Sequence, residues 1–211
     1  MQGCNHKSLE HIFVLESITK ILQKEQILSL LRPALVNKPY LPADAAFSTP
    51  AAVLVIIHYH KDKPHMFLTK RSSNLKSHTG EISFPGGRYV ESDGTLIASA
   101  LRETAEEIGI TFTIDQVVGC LSAVRTMTSN HFIVPFVTLQ DMLPRYRISA
   151  SEVDAVIDVP LIETLKSINL DIEHYHFAKD AFKFTYGDNV IWGATARILK
   201  QMYDILIRQP L

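Results

Sequence analysis

Apolar and polar positions alternate along this chain in two rhythms, and the change from one to the other marks its elements. Leu9, Ile12, Phe13, Ile18, Ile21, Leu22, Ile27, Leu28 and Leu31 follow helical spacing. A polar break at 23–26 predicts one or two helices there, ending near Pro33. Residues 36–50 carry Pro39, Pro42 and Pro50 without periodicity, which predicts a linker or a covering loop. From Ala51 to Tyr59 the chain turns β-branched and apolar, Lys61-Asp62-Lys63-Pro64 is turn chemistry, and His65 to Lys70 resumes an extended pattern. This predicts a hairpin. Ser92 to Ile108 reads as a helix, and Val117 to Arg125 pairs with His131 to Val137 around Thr128-Ser129-Asn130. A polar stretch from Pro144 to Glu152 precedes a strand at Val153 to Val159, and Pro160 opens a short helix. A second hairpin is predicted over 174–186 and a closing helix over 191–208. Strands interleaved with helices through short connections predict an α/β (α+β) fold with a mixed sheet. Residues 1–50 are expected to form amino-terminal helices and a linker packing on a domain that spans 51–211.

Composition narrows the function classes. The 211 residues carry 21 Lys and Arg against 22 Asp and Glu, a formal charge of -1. That balance excludes a chain-wide basic footprint for long nucleic acids. No apolar run reaches the roughly 18 residues of a membrane span. Cys4 and Cys120 are too few for a disulfide framework, and Cys120 sits in an apolar strand as packing rather than as a nucleophile. No signal peptide is evident at the amino terminus, so a reducing, cytoplasmic setting is expected. The pairs His58 and His60, and His174 and His176, are expected to be hairpin surface residues rather than metal ligands.

One segment concentrates negative charge. At 100° per residue, Glu103, Glu106 and Glu107 fall within about 100° on one side of the predicted helix, with Ile97, Leu101, Ala105 and Ile108 opposite. Like charges at i,i+3 and i,i+4 disfavour a helix by roughly 0.2–0.5 kcal/mol each. A hard divalent cation, Mg²⁺ or Mn²⁺, would relieve them, because such ions take carboxylate oxygens together with substrate phosphates. Gly86-Gly87 precedes the helix, where backbone can approach a ligand closely, and Gly109 stops it.

Gly87, Arg102, Glu103, Glu106, Glu107, Gly109 and Ile110 resemble the Nudix box, Gly-x5-Glu-x7-Arg-Glu-U-x-Glu-Glu-x-Gly-U, where U is bulky and apolar. Asp93 stands where the first Glu is expected, one residue further from Arg102 than in the general box, and Thr104 fills an apolar position. Phe67-Leu68-Thr69-Lys70-Arg71-Ser72, Lys76, Gly80 and Phe84-Pro85-Gly86-Gly87 resemble the signature of the coenzyme A diphosphatase branch of that family. Trp192 to Arg197 is similar to its carboxy-terminal helix.

The resemblance implies a Nudix-type α/β/α sandwich and hydrolysis of a diphosphate bond with Mg²⁺ or Mn²⁺. It implies Glu103, Glu106 and Glu107 as metal ligands, with a backbone carbonyl near Gly86 as a further one. Glu103 is then the expected general base and Arg102 the group orienting a carboxylate. Glu152 is the alternative base on a separate loop, with Asp154 behind it. Lys70, Arg71, Lys76 and Arg88 supply positive charge for substrate phosphates, and Arg71 is favoured because a guanidinium binds phosphate bidentately. The amino-terminal helices could cover a groove for a pantetheine arm. The expected partner is a small molecule, coenzyme A or a related nucleotide diphosphate such as ADP-ribose, NADH or a dinucleoside polyphosphate, with no nucleic acid and no membrane. A non-catalytic nucleotide sensor is the reading from another class, and a homodimer is left open.

Overall fold

A computed structural model describes residues 23–40, 48–73, 80–126, 130–173 and 181–208. The helix expected before residue 23, and the expectations for Lys76, His174 and His176, lie outside these residues. The first described helix, α1 (Lys24–Leu31), begins inside the expected polar break. The Gln23 backbone N–H donates to the Gln26 side-chain oxygen, so those polar residues cap the helix rather than interrupt it.

The long strand β1 (Thr49–His60) turns through Lys61 and Asp62 into β2 (Lys63–Arg71) as the pattern predicts. Both turn residues have positive φ, 49° and 62°, the geometry of a two-residue turn that matches strand twist. Short strands β3 (Ile82–Ser83) and β4 (Gly86–Arg88) follow, then a 3₁₀ turn at Glu91–Asp93 and the helix α2 (Leu96–Ile108). The expected single helix from Ser92 is therefore broken at Gly94, whose φ is 70°. Thr95 restarts it by accepting the Ala98 N–H at 3.2 Å.

Strands β5 (Val117–Cys120) and β6 (Val124–Arg125) both pair antiparallel with β7 (His131–Gln140). Then come β8 (Val153–Pro160) and the short helix α3 (Leu161–Lys166). Next are β9 (Asn169–Leu170), β10 (Phe182–Tyr186) and β11 (Asn189–Ile191), and the chain closes with α4 (Gly193–Leu206). The second hairpin thus sits later than expected, with β10 pairing to β11 around Gly187-Asp188 and to β9 on its other side.

The main sheet runs β3-β2-β1-β7-β5, with β4 beside β1, β6 beside β7 and β8 beside β2. β1 and β7 are parallel and the other pairs antiparallel, so the sheet is mixed. Buried on both sides, β1 reads as a continuous apolar run. Ala52, Leu54 and Ile56 pack with Phe67, Val134, Phe136 and the α2 residues Ala100 and Ile108. Val55 and Ile57 on the other face pack with Met66, Leu68, Val137 and α4, and Ile27 and Leu31 of α1 join that cluster. Helices on both faces of one mixed sheet make an α/β/α sandwich. Val36 also bridges to Cys120, so the described part of the first fifty residues is tied to the sheet.

Candidate active site

The helix α2 lies over β1 and β4, and its burial differs from the expected one-sided split. Ala100, Thr104, Glu107 and Ile108 are buried, while Ala105 is only half-buried. Thr104 occupies its apolar position by donating its hydroxyl to the Ala100 carbonyl at 2.7 Å. That bond removes a desolvation cost of about 1–3 kcal/mol for a buried hydroxyl.

The three carboxylates of α2 face different partners. Glu107 is 7% exposed, and its Oε2 accepts the Gly86 backbone N–H at 3.2 Å. Burial, and behind it the negative charges of Glu103 and Glu152, push its carboxyl up to about 7, against the Gly86 hydrogen bond and the Arg71 guanidinium, which pull it down. Glu103 lies against Gly87, where an added Cβ would stand 2.6 Å from Oε2, so no larger residue fits without moving the carboxylate. Glu106 is the most exposed of the three.

Arg102 organises this face. Its Nε and Nη2 donate to the two oxygens of Asp93 at 2.8 and 3.0 Å, Nη2 also donates to Glu103 Oε1 at 2.9 Å, and Nη1 donates to Glu106 Oε2 at 2.8 Å. Arg102 and the Ser99 hydroxyl, 2.6 Å away, hold the Asp93 carboxyl down at about 2. Asp93 therefore clamps the 3₁₀ turn to α2 through Arg102. This one guanidinium, in the middle of the helix, serves two of the three glutamates.

The carboxy-terminal end of α2 is fastened by the loop before β8. Gly109, with φ 68°, donates to the Ala105 carbonyl, Arg147 N–H to the Ile108 carbonyl and Ser149 N–H to the Glu107 carbonyl at 2.8 Å. The same loop delivers Glu152, whose N–H donates to the Ser149 carbonyl and whose carbonyl accepts the Ser72 N–H. Sequence reasoning missed this bracket between β2, the loop and α2. The only trace of it was the polar run from Pro144 to Glu152.

Arg71 ends β2, and its positive charge acts on Glu107. Lys70 is exposed, its charge acting on Asp154, and Asp154 itself accepts the Ser73 N–H at 2.9 Å. Arg88 donates Nε to His131 Nε2 at 3.0 Å. The expected surface role of His58 is corrected: it is 2% exposed, with Nε2 3.0 Å from Asp158 Oδ1, while His60 is exposed. His58 faces the α2 side of the sheet and lines a cavity together with residues 142–146. Cys120 is buried, as its apolar strand suggests, and burial raises its thiol.

Among the described residues no three His, Cys, Asp or Glu side chains already converge as a bound metal would require. Arg102 draws Glu103 and Glu106, while Gly86 anchors Glu107. The donor set nonetheless fits a hard divalent cation. A carboxylate raised first by burial and then by neighbouring negative charge is relieved by such an ion. Glu103, Glu106 and Glu107 would hold it.

Comparison with known proteins agrees with this geometry. The NUDIX domain model matches residues 48–178. An uncharacterized Nudix hydrolase, NudL of Enterobacter sp. (strain 638), is 32% identical over 168 residues, covering 78% of this chain and 86% of its own. NudL of Shigella flexneri is 32% identical over 176 residues, covering 82% and 88%. A Nudix hydrolase structure from Alicyclobacillus acidocaldarius superposes with a TM-score of 0.50 at 18% identity, over 75% of this chain and 92% of that one. A MutT/nudix family protein from Enterococcus faecalis gives 0.51 at 13% identity, over 94% and 73%. With the fold, the glutamate helix and these relatives in agreement, the chain belongs to the Nudix family and is a Nudix pyrophosphohydrolase.

Proposed function

We propose that the substrate is coenzyme A or one of its thioesters, cleaved at the diphosphate to 3′,5′-ADP and 4′-phosphopantetheine or its acyl form. The observation that carries this reading is the stretch from Phe67 to Gly87. The residues that resemble the coenzyme A diphosphatase signature end β2 at Arg71, whose charge acts on Glu107, and lead into the Gly86-Gly87 strand against which Glu103 and Glu107 rest.

Water attacks one phosphorus, the bond from that phosphorus to the bridging oxygen breaks, and the bridging oxygen leaves with the other phosphate. A divalent cation, Mg²⁺ or Mn²⁺, would neutralise the diphosphate and acidify the attacking water when bound. Glu103, fixed by Arg102 and by Gly87, is the group we assign to position that water and take its proton. Glu152, on the loop whose backbone is bonded to α2 and β2, is the second carboxylate within electrostatic reach of Glu107 and the alternative base. Arg102 orients carboxylates and does not touch substrate. Arg71, a planar two-pronged donor, is suited to a phosphoryl oxygen, and Lys70 and Lys76 add positive charge within the same sequence motif.

The test is direct. The purified chain is incubated with coenzyme A and either Mg²⁺ or Mn²⁺, and 3′,5′-ADP is sought by chromatography alongside ADP-ribose, NADH and a dinucleoside polyphosphate. Coenzyme A is expected to turn over at least about tenfold faster by kcat/KM than the others, a transition-state difference of about 1.4 kcal/mol. Absence of 3′,5′-ADP with both metals from folded protein, or preference for ADP-ribose, overturns the choice of substrate.

A further inference from the structure

We infer that the cavity between the turn end of the β1–β2 hairpin and residues 142–146 is a second ligand site, which takes the phosphate group of a small molecule. It is separate from the glutamate site and does not depend on which diphosphate the enzyme cleaves.

Strand register builds the floor of this cavity. His58 on β1 lies opposite His65 on β2, and Asp158 on β8 lies opposite Phe67, two residues further along β2. All four therefore share the α2 face of the sheet. Tyr146 comes back over that face, with its ring edge-on to Phe67 at 5.2 Å between centroids. His58, His60, Lys61 and Asp158 from the strands and their turn, with Arg145 and Tyr146 from the loop, line a cavity of about 680 Å³. That is room for a small metabolite. From His65 to Arg71, whose charge acts on Glu107, β2 runs about 20 Å, so the cavity is not the diphosphate site.

One atom of the floor lacks a partner. An ionised carboxylate only accepts, so Asp158 Oδ1 takes the His58 Nε2 proton at 3.0 Å and the His65 Nδ1 proton at 3.1 Å. His58 Nδ1 is buried and has no hydrogen-bond partner among the described residues. Folded proteins rarely leave such a group unmet. Once the ring takes up a proton Nδ1 becomes a donor, and Asp158 is already in place to balance the charge. A phosphate oxygen is an acceptor that completes this chain.

The charges around the cavity favour an anion. Lys61 and Arg145 are exposed, line the cavity and have no ion-pair partner among the described residues. Asp158, the carboxylate that lines it, is bonded to two imidazoles. These side chains do not converge as metal ligands would. Leu143, Pro144 and Tyr146 supply a wall for the less polar body of a phosphate monoester. Hydrolysis of a diphosphate leaves phosphate monoesters, so the products of this enzyme class belong to the same ligand chemistry. The loop also links the cavity to the catalytic helix. Just beyond Tyr146, the Arg147 and Ser149 N–H groups donate to the Ile108 and Glu107 carbonyls at the end of α2.

The test follows His58 itself. In the full chain in metal-free buffer, its imidazole C–H signals are assigned by their loss in His58→Gln. They are then followed by NMR as AMP, inorganic phosphate or adenosine is added. AMP, phosphate or both should move these signals saturably, and adenosine should not. Tighter binding of AMP makes the ligand a phosphate monoester, and equal binding makes it free phosphate; either result supports the site. In Arg145→Gln and Lys61→Gln, both exposed positions, the dissociation constant should rise at least about fivefold. Arg71→Gln should leave it unchanged. No shift with AMP or phosphate, or an equal shift with adenosine, overturns the proposal. So does a constant that changes in Arg71→Gln and in neither cavity variant, because the ligand then sits at the glutamates. A response to Zn²⁺ alone would assign the histidines to a metal and overturn it as well.

Discussion

Glu107 is 7% exposed, has Glu103 and Glu152 as negative neighbours, and bonds to a backbone N–H of the glycine strand. Such a group is costly to keep ionised unless a cation balances it. Replacing it by Gln keeps the shape and removes the charge. Glu107→Gln should lower kcat by at least about a hundredfold, within the range of a lost charged participant in proton transfer or electrostatic stabilisation. A second readout does not depend on activity. With Mg²⁺ or Mn²⁺ at about ten times its dissociation constant, wild type should gain about 1.4 kcal/mol from the bound ion. For a chain of this size that is a rise of roughly 3–6 °C in the melting midpoint, and Glu107→Gln should lose most of it. An equal metal-induced rise in both proteins would remove Glu107 from the ligand set. That Glu107 belongs with Glu103 and Glu106 was legible in the sequence from helical spacing. Its burial was not, because spacing on α2 assigns a side of the helix and leaves open which neighbours cover that side.

At the scale of elements, the hairpin of β1 and β2 is joined to β8 by one carboxylate. Asp158 Oδ1 lies 3.0 Å from His58 Nε2 on β1 and 3.1 Å from His65 Nδ1 on β2. Burial opposes the Asp158 charge, but the His58 hydrogen bond and both histidines together leave its carboxyl below the ordinary range. His65 moves down as well, chiefly through burial, with Asp158 offsetting only part. A lowered histidine means the folded state favours the neutral ring. The contribution is complete above the unfolded-state value of about 6.5 and is lost as pH falls through the folded-state value. In metal-free buffer, the difference in melting midpoint between wild type and His65→Gln should therefore shift in favour of the variant from pH 7.5 to pH 5. Comparing the two proteins at each pH cancels groups common to both, Glu107 included. A constant difference across that range would show that His65 is not held neutral by the fold. Strand alternation in the sequence put His58 and His60 on one face, and that holds. It could not show that His58 is buried while His60 stays exposed, because the residues 142–146 that line a cavity with them lie more than eighty residues away.

For the whole molecule, α1 belongs to the same packed unit as the sheet. Ile27 and Leu31 are fully buried in the cluster that contains α4, and Val36 bridges to β5. We propose that α1 is an integral part of the domain. Ile27→Ala should then cost about 2–5 kcal/mol, the range for deleting a buried aliphatic side chain and leaving a cavity. Urea unfolding followed by far-UV circular dichroism would measure it, and an unchanged midpoint would place α1 outside the cooperative unit. Ile27 and Leu31 were visible as apolar positions at helical spacing. Their burial against α4 required the two ends of the chain to meet.

The sequence by itself determined the order and type of most elements, the glutamate face of α2, the glycine stops and the family, because these depend on residues a few positions apart. Helical and strand periods, turn residues and a compact motif are all local. Tertiary structure alone decided that Arg102 is shared among Asp93, Glu103 and Glu106, and that the charges of Arg71 and Glu152 act on Glu107. It also put Arg88 and Glu103 on opposite faces of the sheet, though they lie near each other in sequence. The physical reason is that burial and electrostatic neighbours are set by strand register and crossovers, which join distant stretches of chain, and no pattern within one element contains them.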